Sequence, residues 1–497
     1  MTITLPRLRF LAPLFAASVF CASALGGYFS SGSAGVLTAC FLLFLLIVCV
    51  ILVPNTIKGD GTAYGYIQVM LEYSTGIVAL ILSTSIIWLS CSEFCTDMEN
   101  GQIHMIFVKP VSRITVWFGK FTGVFLIHLV LLIIASVFIY AFVIFQYNRQ
   151  KFTPEERAKM ENEVFAGRRS YLPVIKDLNK QVEQVVAERI KKANTLGEKL
   201  PDMSGGERRK YLETVKMELL SQMGEVRPGE VQQWYYDTLP KSYDGPVFVR
   251  YKIYSGTLFS KDQKMAFGTW LIRYVQIIYD ENSTADPKKI VDRKEYQIQK
   301  PPEQIVCGIY NEFPVNGATL IYDGTAYLRF ANLGQPGSDT LHFQVTDSPR
   351  LLIKQASFLN NYARAVFTTA LGIFALGLIA CSASAFPSMP TAIFITISYV
   401  LTGMFSSYII TSIDSTSEGV DVNVLDAVGT YTGKVMMSLL IPVQSFFVSG
   451  SLATGELIEY GFIMQLLVFN IILKGLPLCA LGVYLYWRRE VAQAMKQ

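Results

Sequence analysis

The sequence predicts a polytopic α-helical membrane protein with six core spans plus an N-terminal apolar helix. Into it is inserted an extracytoplasmic α+β domain, a helical hairpin followed by a β-sandwich. Three observations carry this prediction. The 497 residues are 51% hydrophobic and only 16% charged, against roughly 25% charged in soluble proteins. The charge is also segregated: residues 1–146 and 361–487 hold long apolar runs, and a charged block fills 147–358. Inside that block the apolar spacing changes at about residue 232 from three-and-four to strict alternation, the change from helical to β periodicity. The divisions that follow are a membrane half at 1–146, an inserted domain at 147–358 and a second membrane half at 359–497.

A span needs about 20 predominantly apolar residues. Segments 36–53, 68–91, 119–146, 361–386, 390–412 and 464–487 satisfy this. Residues 8–28 are apolar enough as well, and three readings fit them: a span, an interfacial or re-entrant helix, or a cleaved signal peptide. Residues 435–453 (VMMSLLIPVQSFFVSGSLA) are apolar but broken by Pro442 and small residues. They read as a re-entrant segment that dips in without crossing.

Basic residues at span ends set orientation. Loop 92–118 carries Lys109 and Arg113, with Lys120 just inside the next span, and the tail carries Arg488, Arg489 and Lys496. Both therefore face the cytoplasm, which puts 147–358 outside. Loop 413–430 has Asp414, Glu418, Asp421 and Asp426 and no basic residue, as an outer loop should. Six spans close this count when 435–453 does not cross.

The inserted block opens with helical periodicity over 155–223. Leu178, Val182, Val185, Val186, Ile190, Ala193 and Leu196 mark one apolar stripe, and Leu212, Val215, Leu219 and Leu220 mark a second. From 232 to 355 short alternating runs follow, among them PVFVRYKIYSG, TWLIRYVQIIYD and ATLIYDGTAYLRFANL. Asp323–Gly324 is the strongest hairpin signal among them. Trp234, Tyr235, Tyr236 and Trp270 are either core or a stacking surface for a sugar or peptide. The block has one histidine, His342, and no nucleophile motif, so no catalytic constellation is legible and the chain reads as no enzyme.

The net charge of +4 comes with no long basic stripe, and nucleic-acid binding is unsupported. Seven of the eight cysteines (Cys21, Cys40, Cys49, Cys91, Cys95, Cys381 and Cys479) lie in or beside apolar runs. Cys307 is alone in the inserted block, which leaves that block without an internal disulfide. Cys91 and Cys95 lack the spacing of a zinc site, and no metal is expected.

Residues 97–123, DMENGQIHMIFVKPVSRITVWFGKFTG, come straight after an apolar span. Pro110 ends or restarts a helix there, and Ile106, Phe107 and Val108 form an apolar patch between basic residues. The block resembles the cytoplasmic loop of ABC-type export permeases, the transmembrane subunits of the type V exporter class. The matching positions are Asp97, Gly101, Ile103, Lys109, Pro110, Val111, Ser112, Arg113, Gly119 and Lys120. The tail YLYWRREVAQ is similar to that family's ending. The resemblance covers the membrane part, about half the chain; the long insert departs from the minimal family plan and resembles only the larger permeases.

The resemblance implies a permease subunit of an ABC exporter in a bacterial cytoplasmic (inner) membrane. A separate cytoplasmic ATPase would bind ATP and dock at 97–118, and Asp97, Gly101, Ile103, Lys109, Pro110, Arg113 and Lys120 would form the coupling loop. A second permease subunit, identical or related, would complete the path among the membrane lipids. A membrane-anchored extracytoplasmic binding or scaffold protein is the alternative. Glu72, His128 and Lys474 are ionisable groups in or near apolar spans, functional candidates by default. Lys474, followed by Gly475 and Pro477, is the candidate for the transport path.

One tetrapeptide invites another reading. PDMSGGERRKYLE at 201–213 contains S-G-G-E, close to the signature loop of ABC ATPases. No G-x-x-x-x-G-K-[ST] phosphate loop occurs anywhere in the chain, and that chemistry requires one. Ser204 and Glu207 instead fit a capping box that opens the second amphipathic helix. The chain itself holds no cofactor.

Overall fold

A computed structural model describes residues 44–48, 50, 62–99, 112–150, 152–174, 178–196, 206–256, 265–279, 290–335, 338–345, 347–385, 388–417 and 424–488. The chain divides into two compact units. One comprises Met1–Phe165, Ser357–Ser412 and Gly429–Gln497; the other comprises Ala166–Ala356 with Ile413–Val428.

Past the helical residues 44–48 and 50, the chain runs α1 (Ala63–Glu99), α2 (Arg113–Arg149) and α3 (Pro154–Lys159), which continues as a π turn at Met160–Val164. The inserted unit then runs β1 (Ala166–Tyr171), α4 (Asn179–Leu196), α5 (Gly206–Met223), β2 (Glu225–Val226), β3 (Val231–Tyr236), β4 (Pro246–Lys252) and β5 (Tyr254–Ser255). It continues with β6 (Met265–Tyr279), β7 (Ile290–Gln299), β8 (Glu303–Val306), β9 (Tyr310–Asn316), α6 (Gly317–Leu320), β10 (Ala326–Asn332), β11 (Leu341–His342) and β12 (Arg350–Ser357). Helices resume with α7 (Phe358–Ala383), α8 (Met389–Ser417), α9 (Val424–Leu439), a 3-10 turn at Val443–Phe446 and α10 (Ser449–Ala453). Last come α11 (Tyr460–Gln465), a π stretch at Leu466–Gly475 and α12 (Leu476–Arg488).

Among the described residues, six helical stretches are long and apolar enough to cross a membrane: Ala63–Cys95, Arg113–Arg149, Phe358–Ala383, Met389–Ser406, Val428–Ala453 and Tyr460–Arg488. The chain is a multi-pass membrane protein by this measure. Membership of the six differs from the sequence expectation. Segment 36–53 is described only at 44–48 and 50, and residues 8–28 lie outside the described residues. Segment Val428–Ala453 counts by length, yet it is two helices with a break at 440–442, because Pro442 cannot continue α9.

The helices begin where local chemistry lets them. Thr62 Oγ1 accepts from the N–H of Gly65 at 3.0 Å to open α1, and Ser112 accepts from Thr115 at 3.1 Å to open α2. These are ordinary N-caps. One continuous core joins Leu71, Leu82 and Ile86 of α1, Leu131 and Ile139 of α2, and Ile373 and Leu376 of α7 with Phe446 and Leu452 of the broken segment. Among the six candidate spans α7 is the most enclosed, with 67% of its most apolar window buried.

Residues 147–165 belong with the membrane unit, although their charge assigned them to the insert. The mostly polar sequence PEERAKMENEV hides two inward positions: Met160 and Val164 sit in the helical core. Glu163 accepts from the Tyr64 hydroxyl at 2.9 Å. Thr153 and Glu156 form a capping box at the start of α3.

The inserted unit is built on two sheets that share one core. The first has strand order β1-β12-β4-β9, the second β3-β10-β6-β7 with β8 also on β6. Val247, Val249 and Tyr251 of β4 and Leu351 and Ile353 of β12 meet Trp234, Trp270, Leu328 and Phe330 of the other sheet. This is sandwich packing. A three-stranded sheet, β2-β11-β5, completes the set. Helices α4 and α5 form the hairpin expected, with Leu178, Val182, Val186 and Val215 as a small core of its own. Arg189 bridges to both carboxylate oxygens of Glu218 at 3.0 and 3.1 Å.

Two local expectations need correction. The reading of 155–223 as helical missed β1, in which Arg168 is 1% exposed and paired with Glu312; a buried arginine is no strand signal. Strand β7, polar in sequence, forms by pairing along β6. Asp323–Gly324 does make a tight turn, with φ of 46° and 76°, but its first arm is α6 and a single bridge pair, Tyr322 with Thr325. Asn316 caps α6 by accepting from Ala318, which takes that arm out of the ladder.

Candidate functional site

Two places in the membrane unit gather the chemistry-bearing residues. The first is the root of segment 100–111, where the end of α1, the start of α2 and the end of α12 meet. Phe94, Trp117, Phe121, Cys479 and Tyr486 share a buried cluster there. The Phe94 ring lies 6.0 Å from Trp117 and 5.9 Å, edge-on, from Tyr486. Trp117 and Phe121, one turn apart on α2, stack at 5.7 Å. Offset and edge-on aromatic pairs add to what burial alone supplies.

Two cations bracket this cluster. Arg113 Nη1 donates to the carbonyl of Trp487 at 2.7 Å, in the last turn of α12. Those terminal carbonyls have no partner within the helix and carry the negative end of its dipole, so a guanidinium there is a C-terminal cap. Lys120, two turns on from Arg113, donates to the Glu93 carbonyl at 2.6 Å and lies 4.0 Å from the Glu93 carboxylate. Its ammonium is 5.5 Å from the centre of the Phe94 ring. The start of α2 is thereby tied to the end of α1 and to the end of α12.

Of the expected coupling residues, Arg113 and Lys120 are thus brought together at this root. Asp97 lies in the last turn of α1. Gly101, Ile103, Lys109 and Pro110 lie outside the described residues. Sequence reasoning missed Phe94, Trp117 and Tyr486 as the packing that joins these helices, and Ser112 as the cap of α2. The signal was present: Trp117 and Phe121 stand one helical turn apart beside the basic pair. Ser204 lies outside the described residues, and Glu207 is the second residue of α5.

The second place is the break between α9 and the 3-10 turn. Lys474 Nζ donates to the carbonyl of Leu440 at 2.9 Å, just past the end of α9. The Ile441 N–H donates to the Tyr399 hydroxyl at 3.2 Å. Gly403 lets α8 approach so closely that a Cβ there would stand 2.6 Å from the Ile441 oxygen. Two of the backbone groups at the break, the Leu440 carbonyl and the Ile441 N–H, thus meet side chains, as backbone in an apolar medium requires. Lys474, expected on a transport path, serves the backbone here.

Beyond the break, Asn361 holds the segment that leads into α11. Its side chain donates to the Glu456 carbonyl and accepts from the Ile458 N–H, both at 2.9 Å. Arg364 donates to the Ile458 carbonyl at 3.0 Å and lies 3.8 Å from the Tyr460 ring centre. His128 bonds a neighbouring helix, with Nε2 3.1 Å from Ser85 Oγ and Nδ1 2.8 Å from the Val124 carbonyl. Cys91 and Cys95 are not disulfide-bonded and are buried beside Ala380 and Ala392.

In the inserted unit Trp234, Tyr236 and Trp270 are core, 9%, 1% and 0% exposed. Tyr235 pairs with Tyr327 at 4.8 Å. Three of the four aromatic residues weighed as a stacking surface are therefore spent on packing. Against protein-family models, curated proteins and solved structures, the chain has no match.

Proposed function

We propose that the chain is the transmembrane permease subunit of an ABC exporter, working with a separate cytoplasmic ATPase and a second permease subunit in a bacterial cytoplasmic membrane. In this reading the inserted unit lies outside, and 435–453 is re-entrant. One observation carries it: the sequence block 97–120 links two long apolar helices, α1 and α2, and the start of α2 is fastened to the last helix through Arg113 and Trp487. A push delivered on residues 100–111 by an ATPase would reach α12 through that fastening. The rival, an anchored binding protein, loses its best ligand surface to the sandwich core.

The test is ATPase stimulation in a reconstituted complex of this chain with the ATPase that co-purifies with it. Pro110→Ala and Arg113→Ala should each lower substrate-stimulated turnover at least about tenfold, the scale of one lost 1.4 kcal/mol coupling contact. Basal nucleotide turnover by the ATPase alone should not change. Full stimulation in both variants, or repeated purification with no ATPase attached, would sink the proposal.

A further inference from the structure

The last candidate span runs from Tyr460 to Arg488 without interruption, but its hydrogen-bond repeat changes on the way. Leu466–Gly475 is π-helical over ten residues, although the π form normally appears as a single turn, often at functional sites. Sequence supplies part of the reason. Pro477 has no N–H, and its ring crowds the carbonyl four residues before it, so the preceding turn widens. That explains one turn and not ten residues. At the boundary the N–H of Leu476 is shared between the carbonyls of Ile471 and Ile472, five and four residues back. One donor there makes the π and the α bond together.

Contacts at three levels pin this helix. Arg364 over the Tyr460 ring, with its bond to the Ile458 carbonyl, holds the first level. Lys474 on the Leu440 carbonyl holds the π stretch. Tyr486 against Phe94, with Arg113 on the Trp487 carbonyl, holds the last. With the Tyr460 end fixed, the rotational setting of Tyr486 depends on how many wide steps lie between. Each whole wide turn that tightens from a five-residue to a four-residue hydrogen-bond repeat turns everything beyond it by roughly 100°, one residue in a 3.6-residue turn.

We propose that Lys474 is a positioning residue that sets the rotational register of the last helix. Seated on the Leu440 carbonyl, it keeps Leu466–Gly475 in the π form. When it leaves that seat, the stretch tightens and carries Tyr486 and Trp487 away from Phe94 and Arg113. The break at 440–442 and the root of 100–111 are then two ends of one lever. An arginine at 474 can still reach a carbonyl; a methionine of similar length has nothing to donate. The inference goes beyond the permease reading and stands without it, because it concerns helix register and its test reads no transport.

The experiment uses the full chain in lipid nanodiscs, with its native cysteines replaced by serine. Phe94→Cys with Tyr486→Cys reports the last level through cross-linking by a short bis-methanethiosulfonate. Ser136→Cys with Tyr362→Cys reports the α2–α7 packing, where the Tyr362 hydroxyl donates to the Ser136 carbonyl at 2.7 Å. Lys474→Met should lower the cross-link yield of the first pair at least about fivefold and leave the second pair unchanged. Lys474→Arg should restore the first. A first-pair yield within about twofold of the parent in Lys474→Met would overturn the proposal. Loss of both pairs together would overturn it too, since Lys474 would then be needed for folding and not for register.

Discussion

At the residue scale, two glycines on neighbouring stretches of sequence character do opposite work. A Cβ at Gly403 would meet the Ile441 oxygen at 2.6 Å, whereas one at Gly119 meets nothing within 4 Å. Gly403→Ala should therefore cost about 1–3 kcal/mol, the usual penalty for overfilling a packed site. Gly119→Ala should gain up to about 1 kcal/mol, the helix-interior preference of alanine. Unfolding in detergent titrations checks both, and equal effects at the two positions would remove the close approach of α8 to the break. In the inserted unit, Asp347 accepts from the Tyr254 and Tyr310 hydroxyls at 2.5 and 2.7 Å, with Lys252 nearby at 3.9 Å. These donors hold its carboxyl below the ordinary value of 3.8. A carboxyl lowered on folding adds stability above its unfolded pKa and loses it as pH falls through the lowered folded one. The Asp347→Asn variant should thus be weaker than the parent near neutrality, and the difference should shrink below 3.8. Hydrogen exchange of the β9 amides across that range is the measurement, and a constant difference at every pH would contradict it.

At the element scale, legibility follows the chemistry that forms each piece. Helices α1, α2 and α7 were legible because an apolar run of that length has few alternatives to a buried helix. The hairpin α4–α5 was legible because its stripe repeats at helical spacing. Strand β1 was not, since its inward signal is an arginine whose partner, Glu312, lies 144 residues away. Nor was β7, which borrows its structure from β6. The π stretch leaves almost no trace beyond Pro477, because its other contacts, such as Lys474 on the Leu440 carbonyl, are tertiary. Of the candidate site, the basic residues were legible and their targets were not, as backbone carbonyls on other helices have no sequence signature. Asn361 shows how much can hang on such a target. Asn361→Leu fills similar volume but leaves the buried Ile458 N–H without its acceptor. The expected loss is roughly 1–3 kcal/mol, read from denaturant unfolding of the full chain. A loss below that range would show that the segment before α11 is held by Arg364 alone.

At the scale of the whole molecule, two units are interleaved along one chain, and the charge distribution announced that division. The junctions are economical. In the membrane unit, α2 and α7 are neighbours, with Tyr140 stacked on Phe358 at 5.7 Å. In the inserted unit, β1 and β12 are adjacent strands of one sheet. An insertion whose two ends are neighbours can be removed without stretching its host. Replacing 166–356 with a short glycine–serine linker should leave the Ser136–Tyr362 cross-link described above intact. Loss of that cross-link in the excised chain would mean that the helices depend on the insert for their packing.

The adjacency of β1 and β12 also bears on the order of synthesis. The strand that flanks β1 is the last one of the insert to be made, and Ser357 both ends β12 and caps α7 by accepting from Asn360. Until that serine has left the ribosome, the first sheet stands with one border open. The long separation between partners makes such closure slow. The nascent chain must therefore keep an unfinished β layer soluble through the translation of the entire insert, and the residue that finishes it also begins the next helix for the membrane. Folding of the insert and delivery of α7 are consequently bound to the same moment.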